Sequence, residues 1–241
     1  MNGFFITGTD TGIGKTALSA LLLAELRQRG INAAPMKPVQ TGCAVQGSEF
    51  RVPDLDYSLS MAGMKVSEND RALMSPYRFE PACSPHLAAE LAGTEIEINR
   101  IVSAAQELAA EYDTLIVEGA GGVLVPLNRR ELMLDLMVKL HLPVIIAARP
   151  GLGTINHTLL SIRTLKSAGL DIAGVVFVAS EPGEPGLIEE DNAVTVEQFG
   201  GVPVLGTIPF CPQLREPESV YSALPVTVVA EVEKIVNKLL S

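Results

Sequence analysis

Short apolar runs recur along this chain without a polar residue in every second place: Phe4-Phe5-Ile6, Leu115-Ile116-Val117, Val144 to Ala148, and Val175 to Val178. A strand with one wet face alternates, whereas a strand that is apolar throughout must be covered on both sides. Helical patterns lie between the runs, near residues 15–29, 97–111, 131–141, 187–199 and 226–240, with another opening at about Thr154. In that last one Ile155, Leu159 and Ile162 share a face, because helix residues three and four apart are neighbours. Hydrophobic residues make up 47% of the chain, but only 5% is aromatic and there is no Trp, so the apolar mass is aliphatic. The expected fold class is α/β: a mostly parallel sheet with helices on both faces. All 241 residues are expected in a single domain. Segment 43–96 interrupts the alternation with scattered Pro, Gly and Met and is expected as an irregular insertion over the sheet's carboxyl edge.

The charge balance narrows the choice of partner. With 18 basic and 28 acidic side chains the formal charge is −10, which disfavours duplex nucleic acid and anionic membranes. Cys43, Cys83 and Cys211 have no metal-ligand spacing, so neither zinc nor disulfides are expected. The opening MNGFFITGTD lacks a basic region followed by a long apolar run. No uninterrupted apolar stretch reaches about 18 residues. The expected location is the cytoplasm.

A small anion is another matter, because Gly8-Thr9-Asp10-Thr11-Gly12-Ile13-Gly14-Lys15-Thr16 sits between a strand and a helix. Glycines let backbone N–H groups turn inward, and the helix start through Ala17 adds partial positive charge. Lys15 can reach the β- and γ-phosphates, and the Thr16 hydroxyl can ligate Mg²⁺. This phosphate loop departs from the usual G-x-x-x-x-G-K-T spacing, since Thr9 stands where the first glycine is expected. It supplies an anion site without a basic surface.

Three further clusters fall at strand ends. In Met36-Lys37-Pro38-Val39-Gln40-Thr41-Gly42 the lysine would face the crevice where open α/β sheets bind ligands; otherwise it is a surface lysine before a turn. In Glu118-Gly119-Ala120-Gly121-Gly122 the acid is placed for a second Mg²⁺ ligand, and the glycines allow close backbone approach to a substrate. Asp54 and Asp56 are candidates for a further carboxylate, or for acids at a helix start. Gly153-Thr154-Ile155-Asn156 precedes a helix whose free N–H groups can hold a carboxylate or phosphate. His86, His141 and His157 are taken as capping or packing residues.

Together, GTDTGIGKT, MKPVQTG, PYRFEPACSPH, VEGAGG, LGTINH and GTIPF resemble the signature segments of the dethiobiotin synthetases, a family of deviant-loop P-loop ATPases. The resemblance spans residues 8–210. It implies a homodimeric ligase that joins CO₂ to 7,8-diaminononanoate and uses MgATP to close a cyclic urea. It further implies that Lys37, with Lys15 and Thr11, serves the carbamate, and that Thr41 contacts the reacting groups. Thr16, Asp54 and Glu118 would hold Mg²⁺, and the Gly153–Asn156 turn would hold the substrate carboxylate across the dimer interface. Two positions depart from the family pattern. Gly12 stands where some members carry an acid, and Val178 replaces an Asn that reads adenine, leaving the base to backbone near Pro209 and Phe210.

The main alternative is a partition or positioning ATPase of the same loop class, related to ParA and MinD. Such proteins usually carry an extra lysine where this loop has Thr9-Asp10, and often a membrane tail unlike VVAEVEKIVNKLL. A glutamine-dependent amide synthetase would need a further domain, and a non-catalytic module would not need Lys37 and Glu118.

Overall fold

The computed structural model describes residues 1–46, 49–183 and 186–241. In chain order they form β1 (Gly3–Gly8), α1 (Lys15–Gln28), β2 (Ala33–Met36), β3 (Val39–Thr41), β4 (Ala44–Gln46), β5 (Glu49–Arg51), α2 (Pro53–Met61) and α3 (Glu68–Met74). There follow β6 (Tyr77–Phe79), α4 (Pro85–Leu91), α5 (Ile98–Glu111), β7 (Thr114–Gly122), α6 (Met133–Leu140) and β8 (Val144–Ala148). The chain closes with α7 (Thr154–Ser167), β9 (Ile172–Val178), α8 (Leu187–Gly200), β10 (Val204–Ile208), two short 3₁₀ turns and α9 (Val226–Leu240).

Six strands form one sheet in the order β10-β9-β8-β1-β7-β2, and every neighbouring pair is parallel. Parallel neighbours need crossovers, and α5 to α8 supply most of them. The strands alternate their side chains between two cores. Phe5, Val117, Ile146 and Phe177 join one cluster with α5, α6 and α7. Ile6, Ile116, Ile145 and Val176 join another with α1 and α9. Each fully buried side chain of this size contributes roughly 1.5–3 kcal/mol. The expected doubly covered parallel sheet is what forms. Among the described residues, no helix is long and apolar enough to cross a membrane.

The central strand matters most for the site. The chain places β2 and β7 on one side of β1, then crosses over to lay β8, β9 and β10 on the other. Such a reversal opens a crevice at the carboxyl ends of the strands.

The glycines after Glu118 continue β7 as strand, with Gly122 paired to Gly8. One local reading changes: segment 43–96 is more regular than expected. It holds α2, α3, α4, the antiparallel pair β4–β5, and β6, which pairs in parallel with β3 just ahead of the segment, although residues 47 and 48 lie outside the described ones. Its helices have 9, 7 and 7 residues, too short for an apolar period to declare itself. Their starts are marked instead by Pro53, by Ser67 accepting from the Asp70 N–H, and by Pro85.

Candidate active site

The phosphate loop leaves β1 at the middle of the sheet and turns into α1. Gly12 and Gly14 take left-handed backbone conformations, φ 70° and 93°. At Gly14 the requirement is doubly strict, because a Cβ there would lie 2.5 Å from Val178 Cγ1. The Ile13 side chain is buried against Gly8, so that residue offers a ligand only its backbone. Leu18 N–H makes the first bond of α1, to the Gly14 carbonyl, which leaves the N–H groups of Lys15, Thr16 and Ala17 without helical acceptors. Thr11 is exposed, with its hydroxyl near Gly121, and Gly122 lies against the Gly8 carbonyl. The loop and the β7 glycines therefore form facing walls.

Between those walls four charged groups converge. Lys37 Nζ is 2.6 Å from Glu118 Oε1 and 2.7 Å from Asp54 Oδ2. Thr16 Oγ1 donates to the same Glu118 oxygen at 2.9 Å. Lys15 Nζ reaches back to the Asp10 carbonyl at 2.7 Å. Lys15, Lys37 and Glu118 are only 6%, 5% and 4% exposed, so the cluster is shielded from bulk water. Burial, followed by repulsion from Lys37, pulls Lys15 down to about 8. For Asp54 burial opposes ionisation, but the Lys37 charge together with hydrogen bonds from Lys37, Gln40 and Thr16 overcomes it and holds the carboxyl below its usual range. For Lys37 burial is likewise overcome, by Glu118 and Asp54, and its charge is retained. Burial pushes Glu118 upward, with Lys37 opposing and Asp54 adding to the rise.

Asp54 and Asp56 part company here. Asp56 accepts from the Val52 N–H and pairs with Arg71, away from the cluster. Asp54 faces Lys37, with its own N–H directed at Gln40 Oε1 at 3.3 Å. Gln40 was not singled out from the sequence, and it also donates to the Thr41 carbonyl. Thr41 itself is half-buried at the end of β3.

The donor set suits Mg²⁺. Thr16, Asp54 and Glu118 present hard oxygens, and among the described residues no three His, Cys, Asp or Glu side chains form a cage. Mg²⁺ is commonly held by one or two carboxylates together with substrate phosphates and water.

Beside the loop, a groove of about 450 Å³ runs from Gly12 past Arg149, Ser180, Glu181, Phe210 and Arg215. The Arg215 guanidinium lies 5.1 Å from the centre of the Phe210 ring. Phe210 borders this groove; Pro209 is half-buried beside it but is not part of the lining. Val178 is buried beneath Gly14 and presents no polar group. Arg149 follows β8 and Arg215 follows β10, on either side of β9, so only the folded sheet brings both to one groove.

The Gly153–Asn156 turn stands at the start of α7. Gly153 is left-handed, the Thr154 hydroxyl pairs with Thr158, Ile155 packs against the core and Asn156 is exposed. Among the described residues no hydrogen bond joins this turn to the charged cluster. His141 is the left-handed cap of α6, and His157 lies exposed on α7.

Comparison with known proteins follows the same lines. The AAA domain family matches residues 2–218. The ATP-dependent dethiobiotin synthetase of Halalkalibacterium halodurans is 38% identical, over 89% of this chain and 87% of that protein. That of Anoxybacillus flavithermus is 41% identical, over 87% and 92%, and one from Bacillus cereus 35% identical, over 98% and 96%. Among solved structures, a chain of the MinC:MinD cell division protein complex of Aquifex aeolicus superposes with a TM-score of 0.64 at 15% identity, covering 100% of this chain and 96% of that one. A ParA family ATPase from Chlorobium tepidum gives 0.58 at 17%, covering 100% and 99%. At such identities the structural likeness concerns the fold alone. The sequence similarity extends over most of both chains, and this chain belongs to the ATP-dependent dethiobiotin synthetase family.

Proposed function

We propose that this chain makes dethiobiotin from 7,8-diaminononanoate, CO₂ and ATP. The observation that carries the reading is the meeting of Lys37, Asp54, Glu118 and Thr16 beside the phosphate loop. An amine of the substrate adds to CO₂ and loses a proton, giving a carbamate whose anion needs nearby cations. Lys37 and Lys15, with the Thr11 hydroxyl, supply them. A carbamate oxygen then attacks the γ-phosphorus and ADP leaves, forming a carbamic–phosphoric anhydride. The second amine attacks the carbonyl carbon, phosphate is expelled and the ring closes. No protein nucleophile is required; alignment and charge neutralisation do the work.

Thr16, Asp54 and Glu118 would hold Mg²⁺, which supplies charge neutralisation on the phosphates. The backbone of Gly12 to Ala17 cradles the phosphates, and Phe210, with Pro209 behind it, borders the nucleoside groove. Thr41, Gly121 and Gly122 line the substrate side. The Gly153–Asn156 turn would receive the substrate carboxylate from the other subunit of a homodimer.

The positioning-ATPase reading rests on fold likeness at 15–17% identity and on no residue of the site. In addition, α9 buries Val228, Val232, Ile235 and Val236 against the sheet, which occupies its apolar face. A coupled assay of ADP release with diaminononanoate, bicarbonate and MgATP decides between the two. Substrate-dependent turnover with dethiobiotin as product is expected; hydrolysis indifferent to the diamine would overturn the reading.

A further inference from the structure

A second polar tier lies behind the charged cluster. Residues four apart on a helix share a face, one above the other. Ser19 follows Lys15 on α1 at that spacing, and Ser58 follows Asp54 on α2. Both serines are 3% exposed. Around them is a small, partly open recess of about 10 Å³, bordered by Ser19, Ser58, Lys37, Asp54 and Glu118, with apolar side chains completing the wall. Such a space holds about one water molecule, and a buried water needs two to four polar partners.

The Ser19 hydroxyl is buried and has no hydrogen-bond partner among the described residues. Leaving a buried hydroxyl unpaired costs on the order of 1–3 kcal/mol, and Ala is the better helix former at such a site. Both hydrogen bonds that Glu118 receives fall on Oε1, one from Thr16 and one from Lys37. A donor from behind would fix the carboxylate plane that those two bonds leave free to tilt.

We infer that Ser19 and Ser58 hold one water molecule behind the carboxylate pair, and that Ser19 is thereby a positioning residue for the metal ligands Asp54 and Glu118. The water satisfies the Ser19 hydroxyl and donates to a carboxylate oxygen. Neither serine touches nucleotide or substrate. The inference rests on the assignment of Asp54 and Glu118 as metal ligands, not on which diamine is carboxylated.

Two measurements test it. A high-resolution crystal structure of the protein with ADP is expected to contain one water within hydrogen-bonding distance of Ser19 Oγ and of an Asp54 or Glu118 oxygen. Empty density there, or a peak coordinated as a metal ion, overturns the inference. Titration of Mn²⁺ into the protein–ADP complex, followed by electron paramagnetic resonance, reads the positioning effect. Ser19→Ala is expected to weaken Mn²⁺ binding about tenfold, while ADP affinity in EDTA stays unchanged. Ser58→Ala should weaken it in the same direction. Unchanged Mn²⁺ affinity in Ser19→Ala, or an equal loss of metal-free ADP binding, would count against it. If Mn²⁺ binds the wild-type complex in no way that depends on Glu118→Gln, the metal-ligand assignment itself has failed. Neither readout uses the diamine, so a failure to form dethiobiotin would leave this inference standing.

Discussion

The ammonium of Lys37 is 2.6 Å from Glu118 Oε1, the oxygen that also accepts from Thr16. With Asp54 on its other side at 2.7 Å, Lys37 is a cation lodged between two carboxylates assigned to a metal. A metal bound by the same pair of anions would compete with the lysine for them. Lys37→Met is expected to bind Mn²⁺·ADP more tightly than wild type, although it loses turnover by orders of magnitude. Without metal the same variant should lose about 3–5 kcal/mol of stability, since the buried Glu118 and the half-buried Asp54 lose their counter-charge. Calorimetry of Mn²⁺·ADP binding checks the first point; affinity equal to or below wild type would contradict the competition.

Lys15 has the opposite effect on stability. It is buried with a single carbonyl acceptor in the absence of phosphate, and its ammonium sits at about 8 instead of 10.5. Lys15→Met should stabilise the empty protein by on the order of 2 kcal/mol near neutral pH. It should also abolish ADP binding. Thermal unfolding and ADP titration measured on one preparation would reveal both changes.

The two aspartates of α2 should separate cleanly. Asp54→Asn is expected to abolish metal-dependent turnover while the protein remains folded. Asp56→Asn keeps one acceptor oxygen for two donors, the Val52 N–H and Arg71, and loses the charge opposite Arg71, which lowers stability by about 1 kcal/mol and leaves turnover near wild type. Steady-state kinetics beside urea unfolding would show whether the roles are reversed.

Gly14 tolerates no side chain. In Gly14→Ala the new methyl would meet Val178 Cγ1 and the backbone would be strained at φ 93°. Stability should drop by more than about 1 kcal/mol. Adding Val178→Ala removes the collision but not the backbone strain, so the double variant should recover part of the loss. Full recovery would mean that the left-handed conformation costs nothing there.

Burial pushes the Cys43 thiol up, so little thiolate exists near neutral pH. Cys211 is buried as well, whereas Cys83 is partly accessible. Iodoacetamide at pH 7 should label Cys83 first. The Cys43 rate should climb as the pH is raised, because each step deprotonates more of the thiol. Mass spectrometry of tryptic peptides distinguishes the sites; prompt labelling of Cys43 at pH 7 would contradict its burial.

Signals confined to one loop or one strand were legible before folding. Gly14-Lys15-Thr16 carried the phosphate site, and the unalternated run Val144 to Ala148 carried the doubly covered strand. The link between Lys37 and Asp54 was not legible, since nothing local requires residues 17 positions apart to meet. That meeting depends on α2 folding back over β2, and α2 is too short to announce itself by periodicity. The groove lining had the same difficulty: Arg149, Ser180 and Phe210 follow three different strands, brought together by the order β10-β9-β8. A serine one turn beyond each of two candidate site residues, Ser19 after Lys15 and Ser58 after Asp54, is visible in the primary sequence.

The pairing of β1 with β7 has a consequence in time as well as space. The Thr16–Glu118 bond joins residues 102 positions apart, and β2 must be seated at the far side of β7 before Lys37 can reach either carboxylate. Closing so long a loop must be accomplished before its contacts can repay the entropy lost. Nucleotide affinity is therefore acquired late, when the central strands have already assembled. A chain interrupted between α5 and β7 would keep the whole phosphate loop and still lack a place to bind phosphate and metal together.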